Sequence, residues 1–298
     1  MLYGIVDIGS NTIRLNVYHC KKNDINLIFS KKENLGLVFF IKKGKLSAKG
    51  LEKLLTFLKK IKKDLHILKI HHYRFFSTAV LRNIENRAEV MDLIKKEVGL
   101  EIDLLSGEEE GELSFLGSIS SLNNNQGILI DLGGGSVEIV LFKHKKIIKN
   151  CSIPIGSLKM YKEYVSGILP DKTESNLIKE RTILELEKTG INHQKAHFMC
   201  GVGGSIRTIE KILRDLHLQH KKDDLIDVKL LKKLHKQLSP DDKKSHDKIL
   251  KIKPSRIHTL VPALIILETI TSYFGCEVIQ TSKNSVREGY LFKKILNR

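Results

Sequence analysis

Tryptophan is absent from the 298 residues, aromatic side chains make up only 6%, and no basic cluster is interleaved with aromatics. A stacking surface for single-stranded nucleic acid is therefore not expected. Cysteine is sparse: Cys20, Cys151, Cys200 and Cys276 lie far apart and form no CxxC pair. That spacing suggests neither a disulfide framework nor a clustered zinc site, and it agrees with a reducing cytoplasm. Long apolar runs are missing too. "TLVPALIIL", from Thr259 to Leu267, is interrupted by Pro262 and too short for a bilayer, and the first dozen residues turn polar at Asp7. Neither a membrane helix nor a signal peptide is expected. No GxxxxGK[ST] occurs, which removes the P-loop. Gly201 and Gly203 begin a GxGxxG whose third position is Ile206, and neither Ser10 nor Ser136 sits in a GxSxG elbow.

Positive charge is abundant. Lys and Arg number 51 against 34 Asp and Glu, a formal +17 that favours encounter with polyanions. Much of it is a solvated helix face. In "GLEKLLTFLKKIKKDLHIL", Leu51, Leu54, Leu55, Leu58, Ile61 and Leu65 follow helical spacing and leave Lys53, Lys59, Lys60, Lys62 and Lys63 on other faces.

Glycine is concentrated where chemistry is expected. "IDLGGGSVEIVLF" at 130–142 reads as a strand ending in an aspartate, a glycine turn and a second strand, and "VDIGSNTIRLNVY" at 6–18 repeats it. Placing Asp7 on Asp131 sets Gly9 on Gly133, Thr12 on Ser136, Ile13 on Val137, Leu15 on Ile139 and Tyr18 on Phe142. Two similar Asp-Gly hairpins opening two lobes predict a duplicated α/β unit, residues 1–120 and 121–298, with the two turns facing a cleft. Further extended stretches are expected near Ile25 to Phe29 and Val38 to Phe40, a helix ending near Gly99, and another whose start is marked by Ser106 with Glu109. The Lys- and Asp-dense segment from about Lys221 to Lys253 reads as exposed helices and loops, with His246 and Asp247 facing solvent.

Glycine lets backbone N–H groups approach anionic oxygens, so Gly9, Ser10, Asn11 and Thr12, and Gly133, Gly134, Gly135 and Ser136, suit phosphate. Asp7 and Asp131 end the strands before these turns, where a carboxylate can hold Mg²⁺. Gly203, Gly204 and Ser205 lie between a strand and a helix whose start can meet another phosphate. Glu108, Glu109 and Glu110 begin a helix, and consecutive residues point about 100° apart, so they cannot share one task. With Glu109 as the cap, Glu108 or Glu110 remains as a general base for an attacking water. His193, His197 and Cys200 have a metal spacing only if helical, and "KAHFMC" reads as a strand.

"DIGSNTIRL", "STAVLRNIEN", "LSGEEEGELSFLG", "IDLGGGSVEI", "IPIGSLKMY", "GVGGSIRTI" and "SVREGYLF" follow in the order expected of the Ppx/GppA family, the exopolyphosphatases and guanosine pentaphosphate phosphohydrolases, and the resemblance spans nearly the whole chain. It implies an actin-like (ASKHA, ribonuclease H-like) two-lobe α/β fold with an interdomain cleft and a hydrolase site dependent on Mg²⁺ or Mn²⁺. Matched by motif, Glu110 corresponds to the general base, and Asp131 and Glu138 to the other essential acids that hold metal or orient water. Arg14 and Arg82 match basic positions near the phosphate path, and Arg256 a looser arginine position. His258 stands where an aspartate commonly follows that arginine, and Lys283 and Asn284 replace acidic and glycine positions before the family's "LREG".

The second lobe is expected to be the last, without the C-terminal HD-like domain of longer members, and the last helix is expected to pack back on the first lobe. The resemblance therefore implies a cytoplasmic exopolyphosphatase favouring short or medium polyphosphate, a homodimer being one expected assembly, with no specific nucleic acid and no membrane as partner. The alternatives are a phosphohydrolase converting pppGpp to ppGpp, a non-catalytic alarmone- or nucleotide-binding protein, and, more distantly, a sugar kinase.

Overall fold

The computed structural model describes residues 1–21, 24–191, 195–220, 223, 225–238 and 243–296. Two compact units, Met1–Ser106 and Gly107–Arg298, make up the chain.

The first unit opens with an antiparallel meander, β1 (Leu2–Ile8), β2 (Thr12–Lys21) and β3 (Asp24–Asn34). A two-stranded hairpin, β4 (Ile41–Lys42) and β5 (Lys45–Leu46), leads to α1 (Ala48–Ile67). Then come β6 (His72–Ser77), α2 (Ala79–Arg82), α3 (Arg87–Val98) and β7 (Ile102–Leu104). The sheet order is β3-β2-β1-β6-β7, with β6 parallel to β1 and β7 parallel to β6. Helix α1 follows the sequence periodicity: Leu54, Leu58, Ile61 and Leu65 are buried against the sheet, and Lys53, Lys59, Lys60, Lys62 and Lys63 are exposed. Ser47 caps its start by accepting the Gly50 N–H, and α3 ends at Gly99 in the left-handed conformation (φ 65°). One expectation is corrected. Val38 to Phe40 is not extended but belongs to a 3-10 turn, Leu37–Phe40, because Gly36 (φ 59°) turns the chain so that the Val38 N–H reaches the Ser10 carbonyl.

The second unit begins with α4 (Gly107–Ser118), then β8 (Gln126–Leu132), β9 (Val137–Lys143) and β10 (Lys146–Ile153). Next are α5 (Ser157–Tyr164), α6 (Lys172–Lys188), β11 (Phe198–Val202), α7 (Gly204–Asp215) and β12 (Leu225–Asp227). Helices α8 (Lys229–Lys236), α9 (Lys243–Ile252) and α10 (Leu260–Phe274), strand β13 (Val278–Thr281) and α11 (Val286–Tyr290) complete it, α11 running into a π-helical turn, Leu291–Ile295. The sheet order is β10-β9-β8-β11-β13-β12. Its first five strands repeat the order and directions of the first unit's sheet, and β12 is an antiparallel addition at the edge. The duplicated α/β organisation expected from the hairpins is thus present in the strand topology.

The central strands β8, β9 and β11 of the second sheet are buried nearly throughout and read as almost continuous apolar runs. Ile128, Ile130, Val137 and Ile139 lie in a core with α10, while Leu129, Val140 and Phe142 pack with Phe115 of α4 on the other side. "TLVPALIIL" falls mostly in α10, whose Leu264, Ile266 and Leu267 are fully buried, and among the described residues no helix is long and apolar enough to cross a membrane. Helices α8 and α9 are amphipathic rather than wholly exposed: Leu231, Leu234 and Ile249 are buried, His246 is half-buried and Asp247 exposed.

Helix α4 packs against α11, β10 and β9, so it belongs with the second unit, whereas the sequence reading closed the first lobe near residue 120. The expected packing of the last helix on the first lobe is accordingly a contact of α11 with α4 inside the second unit. Its closeness is set by glycine. A Cβ on Gly289 would stand 1.8 Å from the Leu113 carbonyl oxygen, and one on Gly117 would stand 2.3 Å from that of Ser285. The glycines of "SFLG" and "REGY" are therefore the contact points of two backbones.

Candidate active site

Among strands buried on both faces, Asp131 and Glu138 are the conspicuous charges: they are 9% and 0% exposed and stand opposite one another in the β8–β9 register. Cross-strand partners share a sheet face, and the row continues to Ser152 on β10, whose hydroxyl donates to Glu138 Oε1 at 2.9 Å. Helix α4 lies over this face. Ser114, fully buried, donates its hydroxyl to Asp131 Oδ2. Glu110 is one turn earlier on the same face of α4 and is 8% exposed, whereas Glu108 is exposed and its carbonyl accepts from Asn150. Of the two glutamates that sequence chemistry left open, Glu110 is the one turned inward with Ser114. Glu109 reaches Lys294 Nζ at 3.3 Å.

The turn after Asp131 closes through the Gly133 N–H to the Ser136 carbonyl at 3.1 Å. The carbonyls of Gly133 and Gly134 accept from the first amides of α5, those of Ser157, Leu158 and Lys159. Gly156 permits this docking, since a Cβ there would lie 2.5 Å from Gly134 backbone carbon. Among the described residues the Gly134 and Gly135 N–H groups donate to no carbonyl. Gly203, in a positive-φ conformation (105°), passes so close to Asp131 that an added Cβ would sit 3.2 Å from Oδ1. The α7 N-terminus follows at once. Ser205 lies 3.5 Å from the Ser157 hydroxyl and accepts from Arg256 Nη1 at 3.3 Å, while Arg256 Nη2 occupies the space a Gly204 Cβ would need. The expected residues Gly133, Gly134, Gly135, Ser136, Gly203, Gly204, Ser205 and Arg256 are therefore gathered in one region with Asp131. His258 packs against Tyr161 with ring centroids 4.8 Å apart and the rings tilted by 39°.

The first unit carries a turn of the same build. The Gly9 N–H donates to the Thr12 carbonyl at 3.1 Å, and the Ser10 and Asn11 carbonyls accept from Val38 and Gly36. Asp7 is in register with Arg14, and Arg14 with Lys32. The row is Asp-Arg-Lys where the second unit has Asp-Glu-Ser, so Asp7 sits beside cations. Arg82 ends α2 and donates to the Leu105 carbonyl at 2.7 Å.

Ser114, Ser152 and Ser157 were not singled out by sequence reasoning. Ser157 lies within "IPIGSLKMY", and Ser114 is four residues after Glu110, which is the signal that could have found it. His193 lies outside the described residues. His197 precedes β11 and pairs with Glu277 at 3.1 Å on the surface, and Cys200 is buried in that strand, so the helical metal spacing is not formed. Burial raises the Cys151 thiol to about 11 and the Cys276 thiol to about 12, and burial, followed by the nearby Asp131 charge, also raises the Cys200 thiol.

The chain belongs to the Ppx/GppA phosphatase family, whose model matches residues 16–298. It is similar to a bifunctional 3-dehydroquinate synthase/phosphatase of Fusobacterium nucleatum, 27% identical over 98% of this chain and 46% of that one. It is also similar to exopolyphosphatase 1 of Mycobacterium tuberculosis, 26% identical over 64% of this chain and 57% of the relative. A guanosine-5'-triphosphate,3'-diphosphate pyrophosphatase of Aeromonas hydrophila is 22% identical over 98% and 59%. The chain thus spans about half the length of the curated relatives it matches. Its fold is that of an exopolyphosphatase from Cytophaga hutchinsonii, with a TM-score of 0.87, 22% identity and coverage of 100% of this chain and 98% of that one.

Proposed function

We propose that the protein hydrolyses terminal phosphoanhydrides and that its substrate is inorganic polyphosphate, from which it releases orthophosphate, favouring short or medium chains. The observation that carries the reading is the inward placement of Glu110 on the helix face that also holds Asp131 through Ser114. A pure phosphate binder needs glycine turns and arginines; it has no need of a shielded carboxylate beside them. Glu110 takes a proton from the attacking water as general base. The Gly134 and Gly135 amides, the α7 start and Arg256 hold phosphate oxygens, which supplies positioning and charge stabilisation. The turn of the first unit, with Arg14, is a second phosphate cradle of the same type.

Asp131 and Glu138 fit a divalent cation: they are hard oxygen donors side by side on one sheet face, and Mg²⁺ or Mn²⁺ is held by one or two carboxylates with substrate phosphates and water making up the rest. When bound, the cation would neutralise phosphate charge.

The test is orthophosphate release with Mg²⁺ from medium-chain polyphosphate and from pppGpp at matched terminal-phosphate concentration. Faster release from polyphosphate, lowered about 10²- to 10⁴-fold in kcat by Glu110→Gln, is expected. Preference for pppGpp would move the enzyme to alarmone turnover, and undiminished activity of Glu110→Gln would remove the assigned base.

A further inference from the structure

We infer that Ser114 is a positioning residue, whose hydroxyl aims the Asp131 carboxylate and couples it to the helix bearing Glu110; this rests on the hydrolase reading above. Ser114 is fully buried and donates to Oδ2 of Asp131, while Oδ1 of the same carboxylate is turned toward Gly203 at the start of α7. The two oxygens therefore have separate surroundings, and a carboxylate rotating about its last bond would exchange them. The Ser114 hydroxyl opposes that rotation. The bond also ties two elements. Ser114 is four residues from Glu110 on one face of α4, so the hydroxyl that fixes Asp131 on β8 fixes the register of Glu110 over the same sheet face. Helix α4 is held from its other side by the backbone crossing with α11, and on the sheet side Ser114 is its hydrogen-bonded contact with Asp131.

Ser118 supplies the control. It is one turn further along α4, equally buried, and its hydroxyl donates to the Asn284 carbonyl at 3.3 Å rather than to the acidic row. Ser114→Ala, Ser114→Thr and Ser118→Ala are compared by steady-state kinetics on polyphosphate, by melting temperature and, for Ser114→Ala, by a crystal structure. Ser114→Ala is expected to lower kcat about 10- to 100-fold with little change in KM, the range found when an outer partner of a functional carboxylate is removed. Ser114→Thr restores the hydroxyl and most of kcat. Ser118→Ala keeps kcat even if its melting temperature falls. In the Ser114→Ala crystal structure the Asp131 carboxylate is expected to rotate away from its present orientation. An unmoved carboxylate overturns the inference, and so does an unchanged kcat in an active enzyme. If the wild type releases orthophosphate from neither substrate, the hydrolase reading fails by itself, and the crystal structure still decides whether Ser114 aims Asp131.

Discussion

Glu108, Glu109 and Glu110 are chemically identical neighbours, and the structure gives each a different life: solvent with a carbonyl on Asn150, a lysine at the surface, and the shielded face shared with Ser114. Glu108→Gln is accordingly expected to leave kcat unchanged where Glu110→Gln abolishes most of it, measured side by side on polyphosphate. The sequence showed that three glutamates at a helix start cannot share one role, but the choice between Glu108 and Glu110 needed the family resemblance, and the partner serine needed coordinates. Helical angle is readable from spacing; which angle faces a sheet is not. The thiols make a second prediction at this scale. Cys151, Cys200 and Cys276 all have folded-state pKa values raised by burial above their unfolded values. Below about pH 8.5 both states keep these protons, and above it the unfolded chain loses them first, so stability falls as pH rises toward 11. Melting curves between pH 8 and 11 are expected to show a decline that flattens in a Cys151→Ala, Cys276→Ala variant.

At the level of elements, glycine spacing carries more than turns. Gly289→Ala places a Cβ into the Leu113 carbonyl, a backbone atom that cannot swing aside, and is expected to destabilise by about 3 kcal/mol or more in urea melts. Gly167, whose added Cβ would meet nothing nearer than 3.8 Å, is the control and should tolerate alanine. Gly203→Ala faces both strain at φ 105° and the Leu132 carbonyl 2.7 Å away; loss of stability and of activity together is expected. The Asp-Gly hairpins were legible because their glycines and flanking apolar residues repeat at matching offsets. The crossing of α4 and α11 was not, since Gly117 and Gly289 are far apart in the chain and each reads locally as a helix residue of low propensity. For the same reason the start of α4 was visible while its unit was not: a helix start names no partner. The 3-10 turn at Leu37–Phe40 escaped because "LVFF" has strand composition, and a tertiary hydrogen bond to Ser10 overrides it.

Across the whole molecule, the charge is the property most open to test. A formal +17, with α1 presenting an exposed run of lysines, favours association with a polyanion at low ionic strength. KM for polyphosphate is expected to rise with KCl from about 0.05 to 0.2 M, as the screening length shortens, with kcat nearly constant. A salt-independent KM would show that the lysines are only a solvated surface. The duplication of an α/β unit is legible because the two hairpins are long enough to align, whereas the strand order is not; the edge strand β12 has no counterpart and leaves no trace in the pattern. The paired turns have one more implication. Each is closed by the same amide-to-carbonyl bond at 3.1 Å, yet the ledge beside it reads Asp7, Arg14, Lys32 in one unit and Asp131, Glu138, Ser152 in the other. A scaffold written twice has thus diverged in sign: behind turns closed by the same bond, two cationic side chains follow the aspartate in one copy, and a second acid and a hydroxyl follow it in the other.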